Sequence, residues 1–250
     1  MNKEKFMEYF NFSNDDEKSD AILYLSVKGI HFYKKIMDYL EFDFSKENEM
    51  IDWAKVSVLL KYDKKLRNKI YIYLATLEEY IRAYISNKYE NEPQQDFWQD
   101  GKSERSKVKM RIKNGESVSS VLESIEFGVL MNQLKHMPKN DIHEMFENNI
   151  NIYDNLDAFR ELRNAVSHHV FLLGNKFKSC KVDGVESSTL EQNLKNLRQL
   201  LPAEFRYGKN GKGGITGEIE NCRYSFRFDD ENKRIKEEMP LRLIDKVSIK

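Results

Sequence analysis

From Tyr62 to Tyr89, Leu66, Ile70, Tyr73, Leu77, Tyr80, Ile81 and Tyr84 recur at helical spacing, the longest regular element in the chain. Intervals of three and four residues line side chains along one face of a helix, and an apolar face of that length needs other elements to cover it. The rest of the sequence supplies further helices. Ile22, Leu25, Ile30, Tyr33, Ile36, Met37 and Leu40 mark an amphipathic helix over residues 19–40, interrupted or loosened near Gly29. After a polar, acidic link, Trp53, Val56, Leu59 and Leu60 open a second helical stretch ahead of the long one. Periodicity resumes over residues 117–135, behind the turn signal Asn114-Gly115. Pro138 can start a short helix, since its missing N–H is free at that position anyway. Ile152, Leu156, Phe159, Leu162, Val166 and Val170 mark a further helix with one broad apolar stripe.

After Gly174 the character changes. Asp183-Gly184 is a hairpin turn signal. Ser188 and Glu191 have capping-box spacing for a helix running to Leu201, which Pro202 stops. Residues 209–214 form a loop of lysines and glycines that lacks the Gly-Lys-Ser/Thr ending of a P-loop. Cys222, Tyr224, Phe226 and Phe228 alternate with Arg223, Ser225 and Arg227, the period of a strand with one apolar and one basic face. The expected fold is mainly α: a helical bundle over residues 1–175, then a small α/β appendage over 176–250 with one helix and a short β-hairpin or strands.

The 41 basic and 41 acidic residues cancel, so no global field draws the chain to nucleic acid or to a membrane. Any anionic partner must be met by local runs. Lys61, Lys64, Lys65, Arg67 and Lys69 form one, and Lys102, Arg105, Lys107, Lys109, Arg111 and Lys113 form another. Taken alone, each reads as a solvated helix face. Cys180 and Cys222 are too few and too far apart for a disulfide framework or a zinc site. They are read as reduced thiols, and neither metal nor cofactor is expected. No stretch approaches the roughly 20 apolar residues of a membrane span, and the acidic, aromatic amino terminus differs from a signal peptide. A cytoplasmic protein without a membrane partner is expected.

Two of the five histidines are adjacent, in Arg163-Asn164-Ala165-Val166-Ser167-His168-His169. An arginine five residues before a histidine is weak by itself, arising by accident in about one chain in four of this composition. On a straight helix the two positions also lie roughly 140° apart. Asn164, four residues before His168, shares its side and could orient the imidazole. His169 falls at the margin of the apolar stripe, where a partly buried, hydrogen-bonded histidine is expected. Asp157 and Glu161 read as ion-paired or solvent-facing carboxylates. His31, His136 and His143 have no partner pattern.

The segment Leu162-Arg163-Asn164-Ala165-Val166-Ser167-His168-His169 resembles the Arg-polar-x-x-x-His signature of HEPN ribonucleases, as found in Abi-like abortive-infection proteins of the AbiD/AbiF type. Two further segments are similar to that family in the right order. Leu60-Lys61-Tyr62-Asp63-Lys64-Lys65-Leu66-Arg67, followed by Leu77-Glu78-Glu79-Tyr80-Ile81-Arg82, resembles its Tyr-Asp-x-x-Leu-Arg helix with a later Glu-x-x-Ile-Arg. Leu122-Glu123-Ser124-Ile125-Glu126-Phe127-Gly128 resembles its Ser-x-x-Phe-Gly stretch. Together they span roughly residues 20–175. The chain departs from the pattern at Val166-Ser167, where Cys-Ala or Val-Ala is common. It departs also at Val170, where HEPN partners of nucleotidyltransferases carry tyrosine.

The resemblance implies a HEPN-like helical bundle, a homodimer whose signature helices meet, and metal-independent cleavage of RNA in the shared cleft. An imidazole ordinarily titrates near 6.5 and can take and give a proton, so His168 is implied as acid or base. Arg163 would hold the phosphate with its fork of donors, and Asn164 completes the implied catalytic set. Lys61, Lys64, Lys65, Arg67, Lys107, Lys109, Arg111, Arg223 and Arg227 are the RNA-contact expectations. The implied role is an endoribonuclease in phage defence, by abortive infection or as a toxin. The alternative is a non-catalytic HEPN protein that holds a structured noncoding RNA, and a third is the protein half of a toxin–antitoxin pair without RNA.

Overall fold

Neither glycine nor proline occurs between Trp53 and Tyr89, and the chain winds there into one helix of 37 residues, about 55 Å long. The two stretches expected separately are therefore a single element, with no residue between them able to break it. The computed structural model describes every residue except 1, 47, 148–150, 209–212, 223, 229–233, 239–246 and 250, and for 224–228 and 234–238 the backbone alone.

In chain order the elements are α1 (Lys3–Met7), β1 (Phe10–Asn11), α2 (Asp15–Lys28), α3 (Ile30–Tyr39), β2 (Ile51–Asp52), α4 (Trp53–Tyr89), α5 (Val108–Lys113), α6 (Val118–Ser124), α7 (Phe127–His136), α8 (Lys139–Met145) and α9 (Ile152–Ser167). After them come β3 (Cys180–Val182), β4 (Val185–Ser187), α10 (Leu190–Leu200), α11 (Ala203–Tyr207), α12 (Gly214–Asn221), β5 (Tyr224–Phe228) and β6 (Arg234–Glu238). The fold is mainly α with a small α/β carboxy-terminal part. No helix among the described residues is long and apolar enough to cross a membrane.

Gly29 breaks the first expected helix outright. Its φ of +76° ends α2 and starts α3, a conformation glycine reaches without steric cost. Residues 117–135 likewise divide, because Ile125 and Glu126 are extended between α6 and α7. The acidic link before α4 hides a short parallel pairing, Phe10 opposite Ile51, which pins the amino terminus to the start of α4. The Asp183-Gly184 turn has φ of +53° and +80° and joins antiparallel β3 and β4, as expected. The cap of α10 falls one residue later than its spacing suggested: Thr189, rather than Ser188, accepts the Gln192 N–H at 3.2 Å. β5 and β6 pair antiparallel.

Two cores share α4. Its first turns pack Trp53, Val56 and Leu59 against Phe6, Tyr33 and Met37. The remaining turns bury Leu66, Ile70 and Leu77 in a larger core with Leu122, Phe159 and Leu162. Each such aliphatic side chain, fully removed from water, stabilises the fold by about 1.5–3 kcal/mol. Leu194, Leu197 and Ile219 belong to the same larger core, so packing is continuous across residue 175. Polar groups follow it: Asn155 on α9 exchanges hydrogen bonds with the backbone of Lys181, both at 3.0 Å.

Candidate functional site

The signature segment lies where α9 ends. The helix stops at Ser167, His168 is its C-cap with φ −91° and ψ 11°, and His169 takes φ +55°. The His169 N–H donates to Val166 O at 3.2 Å and the Val170 N–H to Ala165 O at 2.9 Å. These are the paired bonds of a Schellman motif, with histidine in the left-handed position usually held by glycine. The expected continuation of the helix to Val170 is thus corrected.

The cause of that ending lies on α4. Asp63 and Arg67, one turn apart, form an ion pair at 1% and 5% exposure. Arg67 donates to Val170 O at 3.0 Å, and Asp63 accepts the Leu172 N–H at 2.7 Å. The pair holds the backbone after His169 by the Val170 carbonyl and the Leu172 amide, in a path that leaves the helix. Burial pushes the Asp63 carboxyl up, against the Arg67 charge and the Leu172 amide, which favour the carboxylate. Arg67 is therefore a buried strut, and its expected place among exposed RNA contacts is corrected for that reason.

Arg163 sits further back on α9, about 30% exposed, with its guanidinium 4.7 Å over the Phe127 ring and 3.6 Å from a Glu78 carboxylate oxygen. Glu78 also binds Arg82 at 2.7 Å. Arg82 in turn donates to the carbonyls of Leu122 and of Ile125, the latter at 3.2 Å. Those carbonyls are freed where α6 ends and need a donor. All three segments that carry the resemblance accordingly meet around α9. Among the described residues the Arg163 guanidinium makes no hydrogen bond within the chain, which leaves its donors open.

His168 is exposed, and no described side chain hydrogen-bonds its imidazole. Asn164 is exposed too; only its backbone carbonyl reaches His168, accepting the His168 N–H at 2.9 Å. The expected orienting bond from the Asn164 side chain is not formed, because His168 is already the cap residue. His169 is exposed rather than partly buried, having left the helix. Residual burial, then the charges of Lys28, Arg67 and His168, hold its imidazole below the usual range.

Of the other expected RNA contacts, Lys61, Lys64 and Lys109 are exposed and Lys65 is half-buried. Lys107 is ion-paired with Glu104. Arg111 forks onto Glu116, at 2.8 Å through Nε, and donates to Arg105 O at 2.8 Å. Its guanidinium is committed to a local turn. Arg223 lies outside the described residues, and Arg227 is placed by backbone alone on β5. Asp157 is ion-paired with Lys135 and Lys178 at 2.7 and 2.8 Å, as its type suggested. Cys180 and Cys222 are free and buried, and burial pushes both thiols up to about 11. Among the described residues no three His, Cys, Asp or Glu side chains gather as metal ligands.

Sequence reading missed Lys28, Asp63 and Glu78 as site residues. Asp63 with Arg67 and Glu78 with Arg82 carry a legible signal, opposite charges four residues apart on a helix. Lys28 carries none. Comparison with protein-family models, with curated proteins and with solved structures finds no match.

Proposed function

We propose that the chain is a metal-independent endoribonuclease of the Abi-like HEPN type, acting in phage defence from the cytoplasm as a homodimer. His168 removes the proton of an RNA 2′-hydroxyl, and that oxygen attacks the adjacent phosphorus. The bond to the 5′-oxygen breaks, and the twofold-related His168 returns a proton to the leaving oxygen. Arg163 neutralises the non-bridging oxygens as charge builds on them. The supporting observation is an exposed imidazole, hydrogen-bonded by no described side chain, at the end of the helix that also carries a guanidinium with no hydrogen bond among the described residues. The Phe127 ring lies beneath that guanidinium, and Glu78 faces its Nη2 from 3.6 Å.

A second reading, RNA binding without cleavage, is favoured by the exposed Lys61, Lys64 and Lys109. Labelled RNA incubated in EDTA with wild type, His168→Ala and Arg163→Ala separates the two. Cleavage by wild type that collapses in both variants, at unchanged melting midpoints, supports the nuclease. Retained RNA binding with no cleavage by wild type leaves the second reading.

A further inference from the structure

Near the end of α9 cations outnumber the carboxylates that face them among the described residues. Lys28 closes α2, and its Nζ stands 5.3 Å over the Phe32 ring. Phe32 meets the Phe171 ring edge-on at 6.1 Å, one residue beyond the carbonyl that Arg67 holds. The ring contact sets the end of α2 beside the segment that follows the His168-His169 turn, where Arg67 arrives from α4; the Lys28 ammonium feels the charges of Arg67 and of Lys64, and His169 feels that of Lys28. The carboxylate among them is Asp63, which is buried and already shared between Arg67 and the Leu172 amide. Neither Lys28 nor Lys64 has a carboxylate within ion-pair distance among the described residues. In a chain whose formal charge is zero, this is a local surplus of positive charge that the fold maintains against repulsion.

We propose that Lys28, Lys64 and His169 form a phosphate-binding notch beside His168 that holds a backbone phosphate of the bound RNA, an inference that rests on the ribonuclease reading above. The two ammonium groups supply point charges and the imidazole an N–H, so a phosphate oxygen can take a donor from each side. A carboxylate would bring fewer oxygens to the same three groups. Burial, then the charges of Arg67 and Lys64, hold the Lys28 ammonium below its ordinary value despite Asp63. His169 feels Lys28, Arg67 and His168 in the same sense. A bound phosphate reverses that field, so its binding draws a proton onto His169 and strengthens as pH falls.

The test uses the full chain and a 2′-O-methyl oligouridine, which carries backbone phosphates but no nucleophile. Binding is read by fluorescence anisotropy against salt for wild type, Lys28→Gln, Lys64→Gln and, as a control outside both basic runs, the exposed Lys139→Gln. Each notch variant should weaken binding several-fold and lower the slope of log Kd on log salt by about 0.7, while the control matches wild type. The His169 imidazole, followed by NMR, should titrate higher once inorganic phosphate is added. Notch variants that bind like the control overturn the proposal, even where RNA with a 2′-hydroxyl is still cut in a His168-dependent manner. Displacement of the oligonucleotide by polyglutamate at equal charge overturns it too, in favour of an acidic protein partner. Lysine-dependent binding without cleavage of ordinary RNA upholds the notch and removes the nuclease reading instead.

Discussion

The Arg67 guanidinium donates to the carbonyl of Val170 at 3.0 Å, joining residues 103 positions apart. With Asp63 taking the Leu172 N–H, this clamp sets where α9 stops and hence where His168 and His169 stand.

Arg67→Met should therefore cost about 3–5 kcal/mol, since it leaves a buried carboxylate without its counter-ion. Urea denaturation measures the loss, and amide exchange should show residues 170–173 opening first. A loss below about 1 kcal/mol would mean that the clamp does not hold the turn.

His169 occupies the left-handed region at φ +55°, which a β-branched side chain tolerates poorly. His169→Val should destabilise by about 1–2 kcal/mol, while His169→Gly should hold or slightly raise the melting midpoint. Equal midpoints for the two variants would show that the turn relaxes freely.

Stability should also fall on mild acidification. The His169 imidazole is held below its ordinary value in the folded chain, so the unfolded chain binds its proton more readily. Its contribution is complete above the ordinary imidazole value of about 6.5 and is lost as pH falls through the lower folded value. Glu116 is held below its usual range by Arg111 against a small opposing burial effect, and acts only near and below about pH 4. A His169→Asn variant, which keeps a residue tolerant of positive φ, should flatten the limb between those windows. An unchanged limb in thermal melts across pH would assign it to another group.

Arg82 ties the end of α6 to α4 through Glu78, Leu122 and Ile125. Arg82→Met should cost about 1.5–3 kcal/mol, the loss of charge-assisted bonds to carbonyls that have no other donor among the described residues. Because Phe127 follows that turn and underlies Arg163, the variant should also weaken oligonucleotide binding. A change in the denaturation midpoint worth less than about 0.5 kcal/mol would indicate that water replaces the arginine.

His168→Ala should lower the proposed RNA cleavage by about 10²–10⁴-fold with little change in stability, since no described group hydrogen-bonds its imidazole. Single-turnover rates alongside melting midpoints check both halves of that expectation.

The periodicity of Leu66, Ile70 and Leu77 was enough to announce a long helix, because a repeating apolar interval is a local property that any covering partner satisfies. Asp183-Gly184 was legible for a similar reason: two consecutive residues must adopt positive φ, and these types do so at low cost. Helix ends were less legible. Ile125 and Glu126 carry no breaking residue, yet α6 stops there with Arg82, from elsewhere in the chain, bonding the freed carbonyls. The exposure of Arg163 and His168 was open to anticipation from their types, whereas Lys28 belongs to the site solely because Phe32 and Phe171 bring α2 to it.

What the amino-acid order determines alone is the helical class, the hairpin and the presence of an arginine and a histidine on one signature segment. The tertiary structure decides where that segment ceases to be helical, which arginines are consumed as struts and which cations remain open. Those outcomes depend on hydrogen bonds and charges between residues far apart in sequence, and local propensity carries no information about which distant carbonyl a buried guanidinium will find.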